Sequence, residues 1–176
     1  AAFGGVFLQE LVSLEDASLR SSKRQEPFIM LPVRVKDRAN LDEALSEYFS
    51  PEIVEYKWEG KKHASRTSKS IRIQKAPKHL LVHLKRFEFD VATLTLKKIN
   101  SRFEFPMEID LAKYCNEGEE ASYEIGGCVV HAGTAHSGHY YSFVRESKEG
   151  WFELNDAFCG PFNVREMPVE CFGGFS

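Results

Sequence analysis

His139 is the residue in this sequence best placed to move a proton: it ends the small, glycine-bearing run AGTAHSG and launches the strand-like YYSFVR. A second strand-like stretch, WFEL, runs straight into Asn155 and Asp156. The intervening Glu146-Ser147-Lys148-Glu149-Gly150 reads as a hairpin turn. Centred on Lys148, the turn pairs Arg145 with Trp151 and Tyr141 with Asn155, which leaves His139 diagonal to Asn155. Centred one residue away, it sets the two directly opposite. Both arrangements put the pair on one face of the sheet, within side-chain reach. An imidazole with one nitrogen held by an amide or carboxyl oxygen has a fixed tautomer, and its other nitrogen is free to take a proton. The chemistry on offer is general-base catalysis. The plainer alternative is a histidine at a strand start and an Asn-Asp turn.

A base needs something to deprotonate, and the four cysteines are the obvious thiols. Cys115 lies in a polar loop, Cys128 in an apolar strand, Cys159 close after Asn155, and Cys171 in the closing segment ECFGG. None opens a helix, the usual way to lower a thiol's pKa, so no nucleophile stands out. Cys128, His131, His136 and His139 are close in sequence, but their spacing matches no zinc signature and neighbouring strand residues point to opposite faces.

The elements around these residues are mostly strands. Segments rich in β-branched and aromatic residues predict strands at 28–35, 70–74, 80–89, 102–105, 124–130, 140–145 and 151–154. Pro32 argues for an edge or bulge in the first. One helix is well signalled over 41–49: Asn40 can cap it with Glu43 three residues on, and Leu41, Ala44, Leu45 and Tyr48 share a face. Ser50-Pro51 stops it. Arg86-Phe87-Glu88-Phe89 and Arg102-Phe103-Glu104-Phe105 nearly repeat, and read as two paired strands with inward Phe rings. A flap over a cleft is the alternative.

Composition narrows the function classes. The 176 residues hold 23 Lys+Arg against 26 Asp+Glu, a net charge of −3, so the concentrated basic surface of a nucleic-acid binder is missing. No apolar stretch is long enough to span a bilayer. Four cysteines without a Cys-x-x-Cys pair read as reduced thiols of an intracellular protein.

SGHYYSFVR followed by WFELND resembles the histidine box of the ubiquitin-specific proteases, papain-like cysteine deubiquitinases. GGCVVHAGTAH resembles the strand and loop that lead into that box, PKHLLVHLKRFEFD an upstream strand, and LKKINSRFEFP the stretch after a mobile loop. EALSEYFSPEIVEY resembles the segment before the family's second zinc knuckle, and ECFGG is similar to its very large members. The likeness covers most of the chain in the family's order.

The resemblance implies an α+β, mostly antiparallel β, papain-like cysteine peptidase fold, present incompletely as one partial catalytic domain over 1–176. It implies a thiol-dependent hydrolase of the isopeptide bond after ubiquitin's C-terminal glycine, located in cytoplasm or nucleus. His139 would be the general base, Asn155 its orienting partner and Asp156 the neighbouring acid. Gly138, Tyr140 and His131 would line the channel for ubiquitin's tail, flanked by loops at 132–137 and roughly 90–98. The implied partners are ubiquitin and ubiquitinated proteins, with neither nucleic acid nor membrane.

Two departures matter. The family's cysteine box is absent from these residues, so the nucleophile is expected on a companion segment and this chain alone is expected to be inert. The family's two zinc-binding Cys-x-x-Cys knuckles would fall at Ser13 and Asp16 and at Trp58 and Lys61, where no cysteine stands. No cofactor or metal is therefore expected. The competing reading is a catalytically inactive, ubiquitin-binding pseudo-protease.

Overall fold

A computed structural model describes residues 2–19, 21–146 and 150–174. It contains β1 (Gly5–Ser13), β2 (Ser22–Phe28), β3 (Met30–Arg34), helix α1 (Leu41–Tyr48), β4 (Glu52–Tyr56) and β5 (Ser65–Lys75). There follow β6 (Leu81–Lys85), β7 (Phe87–Asp90), β8 (Thr95–Lys98), β9 (Glu108–Asp110) and β10 (Ser122–Glu124). The last elements are β11 (Gly127–Gly133), β12 (Gly138–Glu146), β13 (Gly150–Asn155), β14 (Phe158–Phe162) and the single-turn α2 (Met167–Glu170). Two four-stranded sheets, in orders β2-β1-β5-β4 and β11-β12-β13-β14, hold most of the strand residues, and β3–β6, β7–β8 and β9–β10 form two-stranded pairs.

The chain divides into two compact units. The first comprises residues up to Leu31 with Leu45–His83 and Asp110–Ser122; the second comprises Pro32–Ala44, Leu84–Ile109 and the residues from Tyr123 onward.

In the first unit, aromatic rings build the core on one face of the β2-β1-β5-β4 sheet. Phe7 stacks on Phe28 with ring centroids 3.9 Å apart, and Phe49 stacks on Tyr114 at 4.5 Å. Phe28 lies over Gly5, its cross-strand partner, where a Cβ would come within 2.4 Å of the ring. The place where the resemblance puts two zinc knuckles is filled differently. Asp16 and Lys61 form an ion pair at 2.8 Å, and the Ser13 hydroxyl accepts from the Asp16 backbone N–H at 3.1 Å. Buried Trp58 donates its indole N–H to the fully buried Thr67 hydroxyl at 3.0 Å. These four positions supply no thiolate or imidazole, and their one carboxylate is paired with a lysine. They do not fit a zinc ion.

The helix starts as its sequence predicts: Asn40 Oδ1 accepts from Glu43 N–H and Glu43 Oε2 accepts from Ala39 N–H, both at 2.9 Å. The first is the N-cap contact of a capping box; the second reaches one residue further back than the box's usual return bond, to the residue before the cap. In the second unit, Phe143, Trp151, Met167, Cys171 and Phe172 form the core, with Phe105, Cys128, Tyr141 and Phe162 packed around them.

Two expectations need correction. The near-repeat segments do not pair with each other, because β7 pairs with β8 through Phe87↔Lys98 to Asp90↔Thr95. Only the second segment turns a ring fully inward: Phe103 is 0% exposed, whereas Phe89 is 57% exposed. The predicted strand at 80–89 also breaks at Arg86, whose N–H bonds the Leu84 carbonyl at 2.8 Å. That break turns the guanidinium toward the carbonyls of Ile99, Ser101 and Phe172 at 2.9–3.1 Å.

Candidate active site

The site residues ride on three adjacent strands of the second unit. β12 pairs β13 with Arg145 opposite Trp151 and Ser142 opposite Leu154, the register of a turn centred on residue 148. Turn residues 147–149 lie outside the described residues. β12 also pairs β11, with His131 opposite Tyr140 and Ala132 opposite His139.

This register separates the candidate residues by face, since paired residues share a face and successive ones alternate. His139 and Asn155 share the face that carries Tyr141 and Phe143 toward the core. There His139 Nε2 meets Asn155 Oδ1 at 2.6 Å, and the Asn155 amide N–H donates to Glu153 Oε1 at 3.1 Å. His131, Gly138 and Tyr140 share the opposite face. Asp156 lies beyond β13, in the tight turn to β14, with a left-handed φ of 52°. Aspartate is among the few side chains that adopt this conformation readily.

Gly138 has a steric reason to be glycine. A Cβ there would lie 2.1 Å from His131 Nε2 and 2.4 Å from the Ala132 carbonyl oxygen. The His131 ring thus rests on the bare backbone of Gly138, between Phe87 at 5.4 Å and Tyr140 at 4.6 Å. Burial first, and the Lys98 charge second, hold the His131 pKa below its usual value. Its Nδ1 is buried and has no hydrogen-bond partner among the described residues, and a neutral ring is the form that tolerates this.

The 134–137 loop is internally tied. Thr134 N–H bonds the Ser137 carbonyl at 2.8 Å, and the Thr134 hydroxyl accepts from the backbone of His136 and Ser137. Lys98, at the end of the β7–β8 hairpin, donates its ammonium to the carbonyls of His131 and Gly133 at 2.7 and 2.9 Å. Burial, then Arg86, lowers the Lys98 pKa. Lys98 and Glu153 therefore support the site; the resemblance had put Lys98 only at the end of a flanking loop, and sequence reasoning passed over Glu153. Glu153 had a usable signal, because it stands two residues before Asn155 on a strand and must share its face. For Lys98 the loop assignment gave the neighbourhood but not the contact, since its partners are backbone carbonyls over thirty residues away.

None of the four cysteines is a hydrogen-bond partner of His139. Cys115 is buried in the other unit, and its thiol pKa is raised by burial. Cys159 is exposed and, opposite Leu154, points to the face away from His139. Cys128 and Cys171 pack together in the core, and the interaction of their thiols is the main cause lowering the Cys128 pKa and raising that of Cys171. Among the described residues, no group of three His, Cys, Asp or Glu side chains is placed to hold a metal ion. No helix among them is long and apolar enough to cross a membrane.

The family model for ubiquitin carboxyl-terminal hydrolases matches residues 7–169. The chain belongs to that family. Among curated ubiquitin carboxyl-terminal hydrolases, human hydrolase 34 is 29% identical over 98% of this chain and 6% of its own length. The probable hydrolase FAF of Drosophila melanogaster is 30% identical over 99% of the chain and 7% of its own length. Drosophila hydrolase 7 is 32% identical over 88% and 14%. The chain thus spans a small fraction of the relatives it matches. Among solved structures, the SAGA Ubp8/Sgf11/Sus1/Sgf73 DUB module bound to ubiquitin aldehyde matches with a TM-score of 0.85 at 27% identity. That match covers 98% of this chain and 40% of the other. The fold of this hydrolase-family chain is the mostly antiparallel, papain-like α+β fold of the ubiquitin-specific proteases.

Proposed function

We propose that this chain is the base-bearing part of a thiol-dependent deubiquitinase that hydrolyses the isopeptide bond after ubiquitin's C-terminal glycine. The observation that carries the reading is the 2.6 Å contact between His139 Nε2 and Asn155 Oδ1 in a chain of this family. An oxygen at Nε2 requires that nitrogen to be the N–H, which leaves Nδ1 as the base. His139 then takes the proton of a cysteine thiol, the thiolate attacks the glycine carbonyl, and the protonated imidazole delivers the proton to the departing lysine amine. Water hydrolyses the acyl-enzyme by the same route. The nucleophile in this reading is a cysteine outside residues 1–176, on a companion segment, and residues 1–176 form one partial catalytic domain.

Asp156 is assigned to polar contacts near the oxyanion. Gly138, Tyr140 and His131 are assigned to ubiquitin's tail; the bare Gly138 backbone and the flat His131 and Tyr140 rings suit a tail that ends in two glycines. The solved Ubp8 relative, whose structure is bound to ubiquitin aldehyde, supports ubiquitin as the partner. Ubiquitinated proteins in cytoplasm or nucleus follow as substrates.

The test uses a ubiquitin probe with an electrophilic C-terminus. The full-length protein should be labelled at a cysteine outside this chain, and residues 1–176 alone should remain unlabelled. Labelling of Cys115, Cys128, Cys159 or Cys171 would sink the divided-site reading. Tight ubiquitin binding by the full-length protein without any labelling would favour the inactive binding module instead.

A further inference from the structure

On the core-facing side of the β11–β14 sheet, Cys128, Phe143, Glu153 and Gly160 stand in one row across the four strands. Phe143 and Gly160 are buried, and Glu153 is half-buried between them. A carboxylate in such a row costs free energy unless it is hydrogen-bonded. Among the described residues, its hydrogen-bond partner is the Asn155 amide, at 3.1 Å. The same amide meets His139 through its oxygen.

We propose that Glu153 is a positioning residue that sets the tautomer of His139 through the Asn155 side chain. This rests on the reading of His139 as the general base. The two ends of an amide are nearly identical in shape, so packing alone does not choose which end faces His139. An ionised carboxylate only accepts hydrogen bonds, so the end facing Glu153 must be the NH2. The end facing His139 is then the oxygen, which also only accepts. The proton of the neutral imidazole must therefore reside on Nε2, and the lone pair on Nδ1. With the amide reversed, its NH2 would donate to Nε2, the ring proton would move to Nδ1, and no basic nitrogen would be left for a thiol. The strand makes the arrangement rigid, because Glu153 and Asn155 are two residues apart on one face of β13.

The test reads the tautomer directly on the 176-residue chain, by long-range proton–nitrogen correlation of the His139 ring in its neutral form. Wild type should carry the proton on Nε2. Glu153→Leu should shift the Nε2–H to Nδ1–H ratio about tenfold toward Nδ1–H, the size expected for one charge-assisted hydrogen bond. Glu153→Gln keeps an accepting oxygen and should restore the wild-type ratio. An unchanged ratio in Glu153→Leu overturns the proposal, and so does a wild-type ring protonated on Nδ1, which needs no variant to fold. Glu153→Met, closer in size, repeats the test should Leu disturb the sheet. In the full-length protein, Glu153→Leu should lower kcat about tenfold with KM within about twofold; a change confined to KM overturns the proposal. Full-length wild type that fails to cleave ubiquitin conjugates would fell the deubiquitinase reading, while the tautomer spectra still decide the role of Glu153.

Discussion

The two four-stranded sheets use polar side chains in opposite ways. At the tip of the β2-β1-β5-β4 sheet, the contacts end on the chain's own groups: Lys61 neutralises Asp16, and Thr67 accepts from Trp58 and donates to the Ser65 carbonyl at 3.1 Å. In the β11-β12-β13-β14 sheet the contacts run in series, from Glu153 to Asn155 to His139, and end at an exposed imidazole. The first pattern spends its valences on holding the chain. The second spends them on orientation and leaves one nitrogen over. Counting hydrogen bonds would not separate the two regions; following where each chain of donors and acceptors stops does.

The sharpest way to break this contrast is His139→Ala in the full-length protein. Turnover of a ubiquitin conjugate should fall by about 10²–10⁴-fold, with ubiquitin affinity within about twofold. Undiminished turnover would make the second sheet as purely structural as the first. At the other end, Trp58→Ala should lower stability by about 3–5 kcal/mol in denaturant unfolding, because it empties a buried site and removes the indole's bond to Thr67. A loss under 1 kcal/mol would show that the indole does not hold the tip.

A subtler effect concerns acid. The Lys61 hydrogen bond is the main cause that lowers the Asp16 pKa from 3.8 to about 2. A depressed carboxylate pKa contributes stability that is fully present above its unfolded value and is lost as pH falls through the folded one. Wild type should therefore lose most of its small advantage over Asp16→Asn between pH 3.8 and about 2, as followed by thermal melts across that range; a gap that is undiminished at pH 2 would break the assignment. The smallest expected effect is none: a chelator should leave the melting temperature within about 1 °C, because Ser13, Asp16, Trp58 and Lys61 present no zinc ligand set.

Sequence reasoning reached furthest where one local rule decides the outcome. Hairpin arithmetic placed Asn155 on the face of His139, and Asn40 with Glu43 marked the helix start. It failed where neighbours decide. β14 was missed because Gly160 and Pro161 read as breakers, yet β14 is an edge strand, where proline costs no ladder bond. β1 was missed because Val6, Leu8 and Val12 blur the alternation of Phe7 and Leu11, and β8 because TLKK is short and polar. The repeat was misread because equal sequence does not mean equal burial: Phe103 is sealed in and Phe89 is not. The division of the site residues between two faces was implicit in strand alternation. Only the β11–β12 register, set by the Thr134–Ser137 loop, made it visible.

The clamp around Arg86 has a consequence in time. Its guanidinium binds the carbonyls of Ile99, Ser101 and Phe172, while Phe103 N–H bonds the same Phe172 carbonyl and Gly174 N–H bonds that of Asn100. On a ribosome, which delivers about 5–20 residues per second, Arg86 emerges several seconds before Phe172. For that interval its segment has only some of its partners, and exposes the apolar surface that Phe172 later covers. The second unit thus closes only once Phe172 is out, while the β1–β2 ribbon of the first can pair as soon as Phe28 is out. A nascent chain stalled between these points presents a formed ribbon followed by a loose, sticky segment, which is what chaperones recognise.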